Sequence, residues 1–253
     1  MLFRSHNEGN GAFRDVAPEL QVTGPQSGDS CWFWDFDNDG RLDLFVNDHR
    51  SGLAQAVAFA LGMQAENASR PRLFRNLGVR GFGEIGREAG LDRPVPALGF
   101  NFGDIDNDGY LDLYAGTGSQ SCSDVFPNLM LKSVEGRRFE DVTMSSGTGH
   151  LGNGQGISFA DWDDDGNLDL FVETGGAVPG DRSWNLLFRN PGHERHSLKV
   201  RLIGSRTNRA AIGARIRVDI ATKGGGKRSI FRTVGNNSSS RSEEHTSELQ
   251  SPC

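Results

Sequence analysis

The sequence predicts an all-β chain built from a repeated unit of short strands, followed by a small basic β module. Three observations lead there. A ten-residue acidic phrase returns three times, apolar markers return upstream of it in one register, and the charge balance reverses near residue 192. The phrase reads Asp35-Phe-Asp37-Asn-Asp39-Gly40-Arg41-Leu-Asp43-Leu44, then Asp104-Ile-Asp106-Asn-Asp108-Gly109-Tyr110-Leu-Asp112-Leu113, then Asp161-Trp-Asp163-Asp-Asp165-Gly166-Asn167-Leu-Asp169-Leu170. Its starts lie 69 and then 57 residues apart, and self-similarity at such periods marks a repeat architecture.

The markers define the elements of one unit. Phe13, Phe82 and Phe139 each stand 22 residues ahead of the first Asp, within Phe-Arg-Asp-Val, Phe-Gly-Glu-Ile and Phe-Glu-Asp-Val. Phe33, Phe102 and Phe159 lie two residues before that Asp, and Leu2-Phe3, Leu73-Phe74, Met130-Leu131 and Leu187-Phe188 form a further recurring pair. One strand therefore runs into the acidic loop and a second leaves it, as in Leu111-Asp-Leu-Tyr-Ala115. A third follows at Asn128-Leu-Met-Leu-Lys132 and a fourth at Arg138-Phe-Glu-Asp-Val-Thr143. Four strands in about 57 residues match a β-propeller blade, whose sheet buries both faces against its neighbours. The expectation is a partial β-propeller of about three four-stranded blades over residues 1–192. The longer first interval predicts an inserted loop or short helix between Ser51 and Ser69, where Ala and Leu recur at helical spacing.

Composition sets the outer bounds. The chain has 253 residues, with 27 Lys plus Arg against 33 Asp plus Glu for a formal charge of -6, and 34 glycines, which argue for many turns rather than long helices. The longest apolar stretch, Leu53 to Met63, is about half of the roughly 20 residues a membrane-crossing helix needs, so no membrane insertion is expected. The opening Met-Leu-Phe-Arg-Ser-His-Asn-Glu carries neither the basic flank nor the apolar core of a signal peptide. Cys31 and Cys122 leave Cys253 over. This excludes a disulfide-built fold and a cysteine zinc site, while the spacing leaves the Cys31–Cys122 pairing open.

Residues 1–192 hold 15 basic against 28 acidic side chains, and residues 193–235 hold 11 against 2. A second module is therefore placed at 193–240. In it, Leu198-Lys-Val-Arg-Leu-Ile203 and Ala214-Arg-Ile-Arg-Val-Asp-Ile220 alternate as half-buried strands do. Its basic face is read as solvated or as binding a polyanion, and without interleaved aromatics no nucleic-acid partner is expected. Arg241 to Cys253 shows no periodicity and is similar to a translated sequencing adapter. It is set aside as a disordered artefact tail, which makes the chain a fragment of a protein continuing beyond Ser240.

The acidic phrase carries the chemistry. Asp at loop positions 1, 3, 5 and 9 gathers four carboxylates around one point, Gly at position 6 permits the sharp turn, and position 7 contributes a backbone carbonyl. Hard oxygen donors in that number favour calcium. Three repetitions would crowd like charges without a cation. Three Ca²⁺ sites are expected: Asp35, Asp37, Asp39, Arg41 and Asp43; Asp104, Asp106, Asp108, Tyr110 and Asp112; Asp161, Asp163, Asp165, Asn167 and Asp169. An EF-hand would need Glu at position 12 and a following helix, whereas Val46, Ala115 and Val172 stand there in strand-like runs. A turn filled by carboxylates leaves little open coordination, so the metal is expected to stabilise rather than catalyse.

Other signals are weaker. Gly81-Phe-Gly-Glu-Ile-Gly86 matches the dinucleotide fingerprint, but its Phe82 shares the repeat register. His6, His49, His150, His193 and His196 show no metal spacing, and no nucleophile elbow is present. Trp32 and Trp34 are assigned to the core in preference to a sugar platform. Asn67-Ala-Ser69 is a glycosylation sequon whose use would need a eukaryotic secretory pathway.

The Asp-x-Asp-x-Asp-Gly-x-x-Asp loops, their Leu-Asp-Leu strands and the Phe-x-Asp-Val returns resemble the FG-GAP/VCBS repeats of integrin-α-type propellers over about residues 2–192. From His196 onward, Leu198-Lys-Val-Arg-Leu-Ile-Gly204 and Asn208-Arg-Ala-Ala-Ile-Gly213-Ala-Arg-Ile-Arg-Val218 resemble a truncated ASPIC/UnbV module, found behind such repeats in cartilage-acidic-protein-like secreted proteins. The resemblance implies about seven blades in a whole protein, Leu2 to Val16 as the outer half of an earlier blade, and calcium ligands between the two inner strands of each blade. The expectation is a non-enzymatic module, a monomer when full length, presenting loops to a protein or carbohydrate partner. A calcium-dependent polysaccharide lyase or hydrolase is the alternative. Weak calcium sites fill only where calcium is abundant, so an extracellular or periplasmic location is expected.

Overall fold

A computed structural model describes residues 5–25, 28–48, 51–63, 68–118, 125–175, 183–193, 195–205, 208–222, 225–235 and 249–251. Leu2-Phe3, His49, the sequon asparagine Asn67, Cys122 and Cys253 lie outside them, so the readings placed on those residues are not described. The chain is all-β, arranged as several small antiparallel sheets.

The first hairpin joins β1 (Ser5–Asn7) to β2 (Phe13–Asp15), and a four-residue α1 (Ala17–Leu20) follows. The first sheet is a meander of β3 (Gly28–Trp34), β4 (Asp43–Asp48), β5 (Arg72–Asn76) and β6 (Phe82–Glu84). Between β4 and β5 lies α2 (Leu53–Ala60), inside the stretch read as an insertion. The second sheet repeats the meander with β7 (Ala97–Gly103), β8 (Asp112–Thr117), β9 (Leu129–Val134) and β10 (Arg138–Asp141). After α3 (Thr143–Ser146) come β11 (Gly154–Ala160), β12 (Asp169–Thr174) and β13 (Leu186–Phe188), which form a three-stranded third sheet. The four-stranded expectation therefore holds for two sheets and is corrected for the third. The physical reason lies in the sequence after Phe188, where no Phe-x-Asp-Val return follows.

The markers fall on one rung of each sheet. Phe33 pairs with Leu44 and Leu44 with Phe74; Phe102 pairs with Leu113 and Leu113 with Leu131; Phe159 pairs with Leu170 and Leu170 with Phe188. Along the central strands β4 and β8 the side chains alternate between two cores. In β4, Phe45 points into the core shared with the second sheet, while Leu44 and Val46 pack with Ala17, Val22 and Phe74. In β8, Leu113 and Ala115 enter the core shared with the first sheet, and Tyr114 packs with Met130, Ile157, Leu170 and Val172 toward the third. Two sheets thus bury both faces, which is why their central strands read as apolar runs. The third sheet buries one face only, leaving Phe171 and Leu187 exposed where Phe45 and Leu73, or Tyr114 and Met130, are covered.

Trp32 and Trp34 are core residues. Trp32 stacks on Phe45 at 4.4 Å between ring centroids, and Trp34 lies parallel to Phe139 at 6.1 Å. Gly81 to Gly86 spans β6 and enters a turn rather than a helix, which removes the dinucleotide reading. Beyond the third sheet, β14 (Leu198–Val200) precedes the hairpin of β15 (Arg215–Ala221) and β16 (Lys227–Thr233). Leu249 to Ser251, read as part of a disordered tail, forms a short strand β17 (Leu249–Ser251) paired with β14. Three residues suffice for such a ladder, because backbone pairing needs no side-chain periodicity.

The second and third sheets meet backbone to backbone. A Cβ on Gly116 would come within 2.3 Å of the Gly154 carbonyl, and one on Gly99 within 2.0 Å of the Gln155 carbonyl. The Asn101 amide donates across the same seam to the Ile157 carbonyl at 2.8 Å. Gly116→Ala is therefore expected to cost about 2 kcal/mol, a Tm drop of roughly 5 °C by calorimetry, because neither backbone can retreat.

Candidate metal centres

Each acidic loop bridges the first two strands of its sheet and folds by one set of hydrogen bonds. The first-position carboxylate accepts from the fifth and sixth N–H groups: Asp35 from Asp39 (3.0 Å) and Gly40 (2.9 Å), Asp104 from Asp108 (3.0 Å) and Gly109 (2.9 Å), Asp161 from Asp165 and Gly166 (both 3.0 Å). The fifth-position carboxylate accepts from the seventh N–H, with Arg41 donating to Asp39, Tyr110 to Asp108 and Asn167 to Asp165 at 2.8 to 2.9 Å. Two residues per loop take a left-handed backbone. These are Asn38, Asn107 and Asp164 at position 4 (φ 55 to 64°), and Gly40, Gly109 and Gly166 at position 6 (φ 86 to 89°). Asn, Asp and Gly tolerate that region best, which explains why this composition recurs.

The ninth-position Asp does more than face a cation. One oxygen of Asp43 accepts from Phe36 N–H at 3.3 Å and the other from Asn76 at 2.7 Å. Asp112 accepts from Ile105 and Ser133, and Asp169 from Trp162 and Asn190, in the same geometry. All three are buried. Asp43 and Asp112 therefore pin their loops to the third strand of the sheet, and Asp169 pins its loop to Asn190, two residues beyond β13, a role that spacing alone does not reveal.

The loops gather carboxylate oxygens within 4.8 Å of one another in three groups: Asp35, Asp37 and Asp39; Asp104, Asp106 and Asp108; Asp161, Asp163 and Asp169. Of the expected carboxylates, Asp43, Asp112 and Asp165 fall outside these triads. The donor set fits a hard divalent cation, since it consists of carboxylate oxygens in a flexible glycine turn. Asp163 Oδ1 is moreover buried with no hydrogen-bond partner, an orphaned acceptor that a cation would satisfy.

Crowding and burial perturb these acids. Burial, with Asp37 and Asp39 adding repulsion, pushes Asp35 up to about 6. Burial pushes Asp104 up to about 7 against the pull of Arg232, and Asp43 up to about 8. Asp112 rises well above the usual carboxylate range for the same reason. Asp161 is the exception. Burial raises it, but the Lys199 ammonium and the Gly166 N–H hold it below the ordinary value.

Sequence reasoning missed the cations around the loops. Arg75 pairs with Asp37 at 2.6 Å, Lys132 with Asp106 at 2.5 Å and Arg189 with Asp163 at 2.8 Å. All three stand one residue before the N–H that caps the ninth-position Asp, on Asn76, Ser133 and Asn190. Lys132 and Arg189 also share one offset from the first Asp of their loops, a signal visible in the sequence. No family model matches the chain, and no curated protein matches it.

Two outcomes are expected. Asp112→Ala strands the Ile105 and Ser133 N–H groups and lowers stability by about 2 to 3 kcal/mol, in chelator as well as with calcium, in denaturant titrations. With divalent cations chelated, the carboxylates with raised pKa hold protons that the unfolded chain has released. The stability linked to them is complete below about pH 4 and is lost as pH climbs through about 6, 7 and 8 for Asp35, Asp104 and Asp43. Calorimetry in chelator should show Tm falling from about pH 5 to pH 8.

Proposed function

We propose that this chain is a calcium-binding β-propeller segment of the FG-GAP/VCBS type, exported from the cytoplasm, in which calcium is structural and the loops of the sheets present a binding surface to a protein or carbohydrate partner. The observation that carries this reading is the threefold recurrence of one loop. The same hydrogen bonds, the same left-handed positions and an acidic triad return at the same place in three successive sheets. A polar turn needs no such carboxylate spacing, whereas a calcium loop does.

The propeller reading draws on the stacking. Two four-stranded meanders and a three-stranded one follow in chain order, and successive sheets share cores through alternate residues of their central strands. The basic β14 to β16 segment corresponds to the ASPIC/UnbV-like module. Asp35, Asp37 and Asp39, with Asp104, Asp106 and Asp108 and with Asp161, Asp163 and Asp169, would hold the ions, and Asp43 and Asp112, at the ninth position outside the triads, would close the first two loops around them. Calcium supplies charge here. It neutralises carboxylates that burial has driven out of their ordinary range.

The test is calcium stoichiometry by titration calorimetry together with melting in chelator and in added calcium. About three ions per chain are expected. With free calcium about tenfold above Kd, each site contributes about 1.4 kcal/mol, so the melting temperature should rise by several degrees. A folded chain that takes up no calcium rules the assignment out.

A further inference from the structure

The basic strands beyond the third sheet lie against the acidic loops: the β15–β16 hairpin meets the first two, and β14, which pairs with β17 in a separate sheet, meets the third. Each first-position carboxylate meets one of their cations: Asp35 meets Arg215 at 3.8 Å, Asp104 meets Arg232 at 3.1 Å, and Asp161 meets Lys199 at 2.8 Å. Each position-6 glycine is covered by a side chain from the same region. A Cβ on Gly40 would meet Phe231 at 3.2 Å, one on Gly109 would meet Ile230 at 2.7 Å, and one on Gly166 would meet Ser197 at 2.5 Å.

Backbone contacts complete the interface. The Phe231 N–H donates to Asn38 Oδ1 at 3.0 Å, Arg215 donates to the Gly40 carbonyl at 2.7 Å, and Arg195 bonds both the carboxylate and the carbonyl of Asp106 at 3.0 Å. Asn38 also donates to the Gly109 carbonyl at 2.6 Å, so it ties two loops and the hairpin together. Arg232 is the most enclosed of these cations, only 8% exposed between the first two loops.

From this interface we infer that β14 and the β15–β16 hairpin act as an intramolecular ligand of the loop face, and that they and divalent cations bind that face antagonistically. The inference rests on the calcium reading above. Arg232, Arg215 and Lys199 supply positive charge to the same carboxylates a divalent ion needs, and like charges a few ångströms apart in a partly buried site oppose one another strongly. The cations therefore act as positioning residues: they hold the loops folded when metal is scarce and yield when it is abundant. By linkage, metal loading loosens these strands by the same factor by which they weaken metal binding.

The experiment uses the full chain. Calcium affinity is measured by titration calorimetry for the parent protein and for Arg232→Gln, and for Arg215→Gln and Lys199→Gln, whose partly exposed side chains make misfolding a lesser concern. Hydrogen exchange over residues 227–233 is followed in chelator and in calcium. Removal of one cation should tighten calcium binding by about tenfold at the loop it faces, and calcium should speed exchange at the Phe231 amide.

A merely structural role predicts the opposite sign, because damage to the interface would weaken calcium binding. Unchanged or weaker affinity in the variants, or slower exchange with calcium, overturns the antagonism while leaving the calcium sites standing. A folded parent chain that binds no calcium overturns both.

Discussion

Each loop forces several carboxylates into a volume where they repel one another, and much of the surrounding structure answers that crowding. In the first loop Asp35 accepts two loop N–H groups, Asp43 reaches across the sheet to the third strand, and Arg75 from that strand stands beside Asp37. Burial makes the problem worse, since it removes the water that would screen the charges. This is why Asp35, Asp104 and Asp43 lie so far above ordinary carboxylates. A divalent cation would answer the same crowding with one particle, where Arg215, Arg232 and Lys199 meet it with side chains.

The sheets supply the rigid frame on which this balance is held. Because β4 and β8 send alternate residues into two cores, neither of their sheets can shift without disturbing the packing on both faces. The direct backbone contact of Gly99 and Gly116 with the third sheet removes the remaining slack between those two sheets. The loops sit at the ends of these strands, so their carboxylates inherit the position of the core. Stability and site geometry are therefore two aspects of one packing arrangement.

The third sheet shows where the regular pattern stops. Its inner face packs Ile157, Leu170 and Val172 as the repeat demands, while Phe171 and Leu187 on the other face remain exposed. The chain turns instead, through Asn190 and Gly192, toward the basic strands. In its acidic loop Trp162, Asp164 and Asp165 are exposed, and Lys199 pairs with Asp161 and Asp164.

The repeat, the four-strand order of the first two sheets, the helix between β4 and β5 and the gathering of acids in each loop were legible in the sequence, because they depend on local periodicity and on residue types that few backbone conformations accept. The quartets were not, since Asp43, Asp112 and Asp165 stand outside the triads. Asp-x-Asp-x-Asp-Gly reads as a turn with converging carboxylates whatever lies around it. The double role of Asp43, Asp112 and Asp169 was not legible, since their second partner lies on a strand distant in sequence. Nor was the destination of the basic residues. Alternation in Ala214 to Ile220 predicted a half-buried strand, but a charge pattern carries no address, and a solvated face and a docked one read alike. Only the tertiary structure could bring Arg215, Arg232 and Lys199 to three loops separated from them by 38 to 180 residues, because long-range electrostatic pairing is set by where the chain folds back and not by the order of its residues.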